Sequence, residues 1–117
     1  MRNISFNLTP AQVKDRSKTV TRRLGWTFLK VGDILMACEK CMGLKRGEKI
    51  AKIGRIEVTN VRRELLSDLI DPLGYGDAEA IKEGFPNLSG VGFVEMFRKE
   101  MGCKNTMVTR IEFKYLD

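Results

Sequence analysis

The stretch Thr106-Met107-Val108-Thr109-Arg110-Ile111-Glu112-Phe113-Lys114-Tyr115 sets Met107, Thr109, Ile111, Phe113 and Tyr115 at every second position. A period of two is the period of a β-strand with one face against a core. The same alternation recurs from Asn3 to Leu8, where Ile4, Phe6 and Leu8 are apolar and Ser5 and Asn7 polar. After the tight turn Val31-Gly32-Asp33, Ile34 to Cys38 reads as a further strand. Ile50 to Val61 reads as a long one, with Ile53, Ile56, Val58 and Val61 apolar and Gly54 marking a bulge or bend.

Between these strands the period changes. Gly90 to Met101 carries Phe93, Met96, Phe97 and Met101 at spacings of three and four, which predicts an amphipathic helix with its stripe in the core. Thr9-Pro10 reads as an N-cap and a first-turn proline, opening a short helix that ends near Arg16. Leu65 to Ile70 reads as a short helix. Asp77 to Glu83 reads as another, capped by Asp77 and stopped by Gly84 and Pro86. Glu39 to Lys49, with Gly43 and Gly47 among charges, reads as an exposed loop. Lys18 to Arg23 is a turn or short strand, broken by Gly25-Trp26. Four strands with helices inserted between them predict an α+β fold: a small curved mixed β-sheet or β-barrel with flanking short helices, as one domain over residues 1–117.

The chain has 117 residues, 43% of them hydrophobic and 31% charged, which is a globular composition. No apolar run is long enough to span a bilayer, and Met1-Arg2-Asn3-Ile4 carries no apolar signal region. A cytoplasmic protein without a membrane partner is the expectation. Three cysteines, Cys38, Cys41 and Cys103, fit reduced thiols. Cys38 and Cys41 form a C-x-x-C pair, but the chain has no His and no second such pair, so it is short of the four ligands of a structural zinc site. The expectation is no metal and no cofactor, with Cys38 packed in a core strand and Cys41 in a loop.

The formal net charge is +6. Basic residues cluster at Lys14, Arg16, Lys18, Arg22, Arg23 and Lys30, and again at Lys40, Lys45, Arg46, Lys49 and Lys52. Clustered positive charge attracts polyanions, nucleic acid above all; a solvated basic face is the plainer alternative. Trp26 and Phe28 follow the first cluster. Trp26 is a candidate to stack on a base, and Phe28 reads as core.

Without His, chemistry near neutral pH falls to other groups. Lys18-Thr19-Val20-Thr21-Arg22-Arg23 supplies an amine, two hydroxyls and two guanidinium groups, and Glu83-Gly84-Phe85-Pro86 supplies a carboxylate before a chain reversal. Lys18 and Thr21 are three apart and would face opposite ways in an extended strand, so joint action needs a bend between them. The plain alternative is a structural salt bridge between Lys18 and Glu83. Glu79, four residues before Glu83, shares its helix face.

The order of these segments resembles the ASCH domain of the PUA-like superfamily: the first strand, Lys18-Thr19-Val20-Thr21-Arg22-Arg23, Leu29-Lys30-Val31-Gly32-Asp33, Val61-Arg62-Arg63-Glu64, Glu83-Gly84-Phe85, the helix with Phe93 and Phe97, and Val108-Thr109-Arg110-Ile111-Glu112-Phe113. The resemblance implies a PUA-like barrel, a cleft between the Lys-Thr and Glu-Gly segments, and RNA or a nucleoside or nucleotide as ligand. Some bacterial members of that family are amidohydrolases acting on N4-acetylcytidine. Their Lys, Thr and Glu fall, by motif, on Lys18, Thr21 and Glu83, with Lys18 as base, Thr21 as nucleophile and Glu83 as proton donor to the leaving amine. Arg22, Arg23, Trp26, Lys45, Arg46 and Lys49 are the candidate ligand-binding residues. The segment Glu39 to Lys52 is longer and more basic than a minimal enzyme of that family needs. The expectation is therefore a monomeric RNA- or nucleoside-binding module with a positively lined cleft. The alternatives are an amidohydrolase on an acylated cytidine and a ribonuclease using the same cleft.

Overall fold

The computed structural model describes residues 1–41 and 44–117; Met42 and Gly43, the latter one of the two loop glycines, lie outside the described residues. Among the described residues five strands form one sheet: β1 (Arg2–Ser5), β2 (Val20–Arg23), β3 (Ile34–Cys38), β4 (Lys52–Leu65) and β5 (Met107–Tyr115). Their order is β1-β3-β4-β5-β2. β1 runs parallel to β3 and every other pairing is antiparallel. The result is an α+β fold with a curled half-barrel sheet. The described residues also form the α-helices α1 (Pro10–Lys14), α2 (Tyr75–Lys82) and α3 (Gly90–Met101) and a 3₁₀ turn (Leu66–Leu69).

The fifth strand is Val20–Arg23, which pairs with β5 from Val20↔Glu112 to Arg23↔Thr109. Four strands were expected; this short, charged segment becomes the fifth because β5 offers it a free edge. β4 also runs four residues past Val61. Arg62, Arg63, Glu64 and Leu65 lack an apolar period, yet each pairs with β5. Two register shifts curl the sheet, one between Ala37 and Cys38, opposite Ile53 beside Gly54, and one between Val58 and Asn60. β1 ends at Ser5 rather than Leu8, although Phe6 still donates to the Cys38 carbonyl at 2.8 Å.

Two apolar clusters flank β5. Ile111 and Phe113 pack with Ile4, Phe6, Val13, Leu35, Ile56 and Val58 on one face. Val108, on the opposite face, joins Leu66, Leu69, Ala80, Phe93, Val94 and Phe97 beneath the helices. Phe28 is 50% exposed, against the expectation of a core residue; it lies under the Arg2 guanidinium at 4.4 Å, outside both clusters.

α2 and α3 are held close by glycine. A Cβ on Gly76 would sit 1.7 Å from the Leu69 carbonyl oxygen, and one on Gly90 would sit 2.2 Å from the same atom. Only two residues without side chains let both helices reach that carbonyl. α2 starts at Tyr75, two residues before the expected Asp77, after Gly74 in the left-handed region. Asp77 instead accepts from Gly90 N at 2.8 Å and so caps α3 rather than its own helix. Ser89 caps α3 as well, accepting from Gly92 N, and Gly102 ends it in a left-handed conformation. This docking fixes where Glu79 and Glu83 emerge.

Candidate functional site

In antiparallel strands, residues directly opposite share a face. Arg22 on β2 is opposite Arg110 on β5, which is opposite Arg62 on β4. Three arginines thus form a row across the sheet beneath α2. Like charges in register repel, so the row needs carboxylates. Glu79 on α2 accepts from Arg22 Nη2 at 2.6 Å and from Arg110 Nε at 2.5 Å. Glu64 on β4 accepts from Arg22 Nε at 2.6 Å, from Arg62 Nη1 at 3.1 Å and from the Tyr75 hydroxyl at 2.7 Å. Glu83 accepts from Arg22 Nη1 at 3.1 Å. The Arg22 side chain is fully buried and surrounded by acids. Burial alone would favour its neutral form, but Glu83, Glu79 and Glu64 outweigh that and raise its pKa. At Glu79 burial opposes ionisation, yet Arg110 and Arg22 hold the carboxylate down at about 2.

Lys18 lies just before β2, on a segment tied down from three sides. Lys18 N donates to the Gln12 carbonyl, Thr19 N donates to the Lys82 carbonyl, and the Tyr115 hydroxyl donates to the Lys18 carbonyl. The bend required between Lys18 and Thr21 is the approach to the strand, which begins at Val20. Lys18 Nζ donates to Glu83 twice, to the backbone carbonyl at 2.6 Å and to Oε1 at 2.9 Å. Glu83 is the C-cap of α2, where a carboxylate opposes the helix dipole. Lys18 and Arg22 answer both that charge and the free carbonyl. Both Glu83 oxygens accept from cations, so its geometry is that of an anion that orients Lys18, not of a carboxylic acid with a proton to give.

Burial pushes the Lys18 ammonium toward its neutral form; Glu83 opposes that shift, and the charges of Arg23 and Arg22 add to it. Thr21 Oγ1 accepts from Arg23 Nε at 3.0 Å, and its own proton goes to no protein acceptor among the described residues. Arg23 also donates from Nη2 to the Ser5 carbonyl at 2.6 Å and lies 4.9 Å over the Phe6 ring.

These groups line one cavity of about 70 Å3. Lys18, Thr21, Arg22 and Glu83 form its buried floor, each 3% exposed. Phe6, Phe85, Phe93 and Phe97 form aromatic walls, and exposed Asn7, Leu8 and Glu100 rim the mouth. That space holds on the order of five waters, or one compact group of a ligand. The Phe93-Met96-Phe97 stripe therefore does more than pack: it also walls the cavity.

The structure brings Lys18, Thr21, Glu83, Arg22 and Arg23 together. Trp26, half-buried against the first apolar cluster with its backbone at φ 56°, lies off this lining, as do exposed Lys45, Arg46 and Lys49. Glu64, Tyr75, Glu79 and Arg110 complete the buried network and were not among the residues expected from sequence. Glu79 had a signal, its shared face with Glu83; Glu64, Tyr75 and Arg110 had none, because their roles depend on register across three strands. Among the described residues no group of three or more His, Cys, Asp or Glu is placed to hold a metal ion. No helix among them is long and apolar enough to cross a membrane. Compared with models of known families, with curated proteins and with solved structures, the chain matches none, and nothing in those comparisons identifies an ASCH or PUA-like domain.

Proposed function

We propose that this chain is an amidohydrolase that removes the acyl group from an acylated nucleoside of the N4-acetylcytidine type. One observation carries the reaction class: a buried lysine, held on two sides by Glu83 and pushed toward its neutral form, shares a small cavity with a threonine hydroxyl whose proton has no protein acceptor among the described residues. A nitrogen with two positions committed as donors keeps a third for the lone pair of its neutral form. The nucleoside comes from the ASCH resemblance.

In the proposed sequence Thr21 Oγ attacks the acyl carbon while Lys18 Nζ takes the hydroxyl proton. The tetrahedral intermediate collapses, the C–N bond breaks, and the amine leaves with the proton from Lys18. Water then attacks the Thr21 ester, gives a proton to Lys18, and the carboxylic acid departs as Thr21 regains its hydroxyl. Glu83 acts by orientation, and Arg22 fixes Glu83 from its other oxygen.

A second reading, an RNA- or nucleoside-binding module without chemistry, is favoured by Lys45, Arg46 and Lys49, which are exposed together and belong to no ion pair among the described residues. The deciding assay is release of acetate and cytidine from N4-acetylcytidine by purified protein. Turnover supports the hydrolase; none over a range of acylated nucleosides, with salt-sensitive binding of single-stranded RNA, supports the module.

A further inference from the structure

The buried charges close almost completely. Three carboxylates, Glu64, Glu79 and Glu83, face three cations, Lys18, Arg22 and Arg110, each in direct ion pairing. Arg23 is left over. It forms no ion pair among the described residues, and its hydrogen bonds go to neutral oxygens, Thr21 Oγ1 and the Ser5 carbonyl. Contact with the Phe6 face compensates a desolvated cation only in part. Its partial burial pushes its pKa down, and Glu83, which makes no hydrogen bond to it, offsets this only in part. Arg23 is half-buried, so water screens it in part, yet its guanidinium lines the cavity with no carboxylate in contact. It lines the cavity beside the hydroxyl proposed to react.

We infer that Arg23 is the oxyanion-binding group of this cavity, holding the acyl oxygen as it gains charge and then the carboxylate that leaves. This inference rests on the hydrolytic reading. When Thr21 Oγ bonds to the acyl carbon, the carbonyl π pair moves onto oxygen and creates a negative charge within reach of a guanidinium already fixed on Oγ. That charge is absent in the substrate, so the attraction grows toward the transition state and acts on kcat. The same hydrogen bond from Arg23 Nε favours Thr21 as it loses its proton. Hydrolysis ends in a carboxylate, the planar partner that guanidinium binds best. The free cavity is accordingly an anion site, and simple carboxylates inhibit by occupying it.

The test uses purified protein, acetate as the probe and the variants Arg23→Gln and Arg23→Lys. Acetate binding is followed by the NMR shift of the Thr21 backbone N–H, which every variant keeps, and turnover by acetate release from N4-acetylcytidine. The expected results are saturable acetate binding to the wild type, at least tenfold weaker in Arg23→Gln and partly kept in Arg23→Lys. In the same variant kcat falls about a hundred- to a thousandfold with KM little changed. The Tm of Arg23→Gln holds or rises, because an uncompensated charge is gone; a merely structural arginine would give a lower Tm. Failure of acetate to bind the wild type, or equal binding by Arg23→Gln, overturns the inference. Turnover with an undiminished kcat in Arg23→Gln also overturns it while leaving the hydrolase intact. Arg23-dependent acetate binding without any turnover overturns the hydrolase and leaves Arg23 as an anion site.

Discussion

Glu83 holds Lys18 by two separate oxygens, its backbone carbonyl at 2.6 Å and its Oε1 at 2.9 Å, across 65 residues of chain. The first contact caps helix α2 and the second pairs the charge, so one lysine fixes both a helix end and a carboxylate. Loss of one partner from a buried pair leaves the other charge without compensation. Lys18→Met and Glu83→Gln should each lower the unfolding free energy by about 3–5 kcal/mol. The double variant should lose about 1–3 kcal/mol less than the sum. Urea unfolding of the three proteins checks this; strict additivity would mean that the pair contributes nothing jointly.

Acid should unfold the protein through Glu79. Its folded pKa of about 2 lies below the ordinary value of 4.5. A lowered carboxylate pKa gives stability that is fully present above about pH 4.5 and is lost as pH falls from there toward 2. Unfolding free energy measured against pH should fall across that window. Glu79→Gln should flatten the fall while lowering stability at neutral pH, since Arg22 and Arg110 lose their shared acceptor.

Gly90→Ala should destabilise, although alanine is the better helix former by up to about 1 kcal/mol. The new Cβ would lie 2.2 Å from the Leu69 carbonyl and 2.7 Å from Gly76 Cα, both backbone atoms. Moving α3 away costs about 2–3 kcal/mol of packing, a Tm fall of about 10 °C. Because α2 carries Glu79 and Glu83, any turnover should fall as well. An unchanged Tm by calorimetry would show that the helices are not held through this contact.

The alternation of β5 was legible because Ile111 and Phe113 enter one apolar cluster while Arg110, Glu112 and Lys114 alternate with them, and the three-and-four spacing of α3 because one of its faces is buried and the other exposed. Val20–Arg23 was ambiguous for the opposite reason. Its Thr and Arg side chains are buried among polar partners, and period-two hydrophobicity cannot register a buried charge. In Arg62 to Glu64 only Glu64 is buried, again among charges, and the two arginines are exposed, so β4 outran its apolar pattern. The parallel pairing of β1 with β3 leaves no mark in either strand. Lys18, Thr21 and Glu83 could be named from sequence, but not that Glu83 accepts through both oxygens. That depends on Arg22, whose place follows from strand register.

If neutral Lys18 is the base, kcat/KM should rise with pH as the ammonium loses its proton, with a midpoint below the ordinary lysine value because burial favours the neutral form. Glu83 favours the charged form, so Glu83→Gln should move that midpoint to lower pH while reducing the limiting rate. A pH–rate profile flat into the alkaline range would remove Lys18 from the proton transfer.

The most direct measurement is the rate of acetate release from N4-acetylcytidine by the wild type, Lys18→Ala, Thr21→Ala and the Lys18→Ala/Thr21→Ala double variant, with Thr19→Ala as the neighbouring-hydroxyl control. A base and a nucleophile acting as one unit predict that either single substitution abolishes nearly all turnover. The double variant should then be little slower than either, and Thr21→Ser should keep part of the rate. Turnover that survives in Thr21→Ala would contradict covalent catalysis by Thr21 and point to direct attack by water.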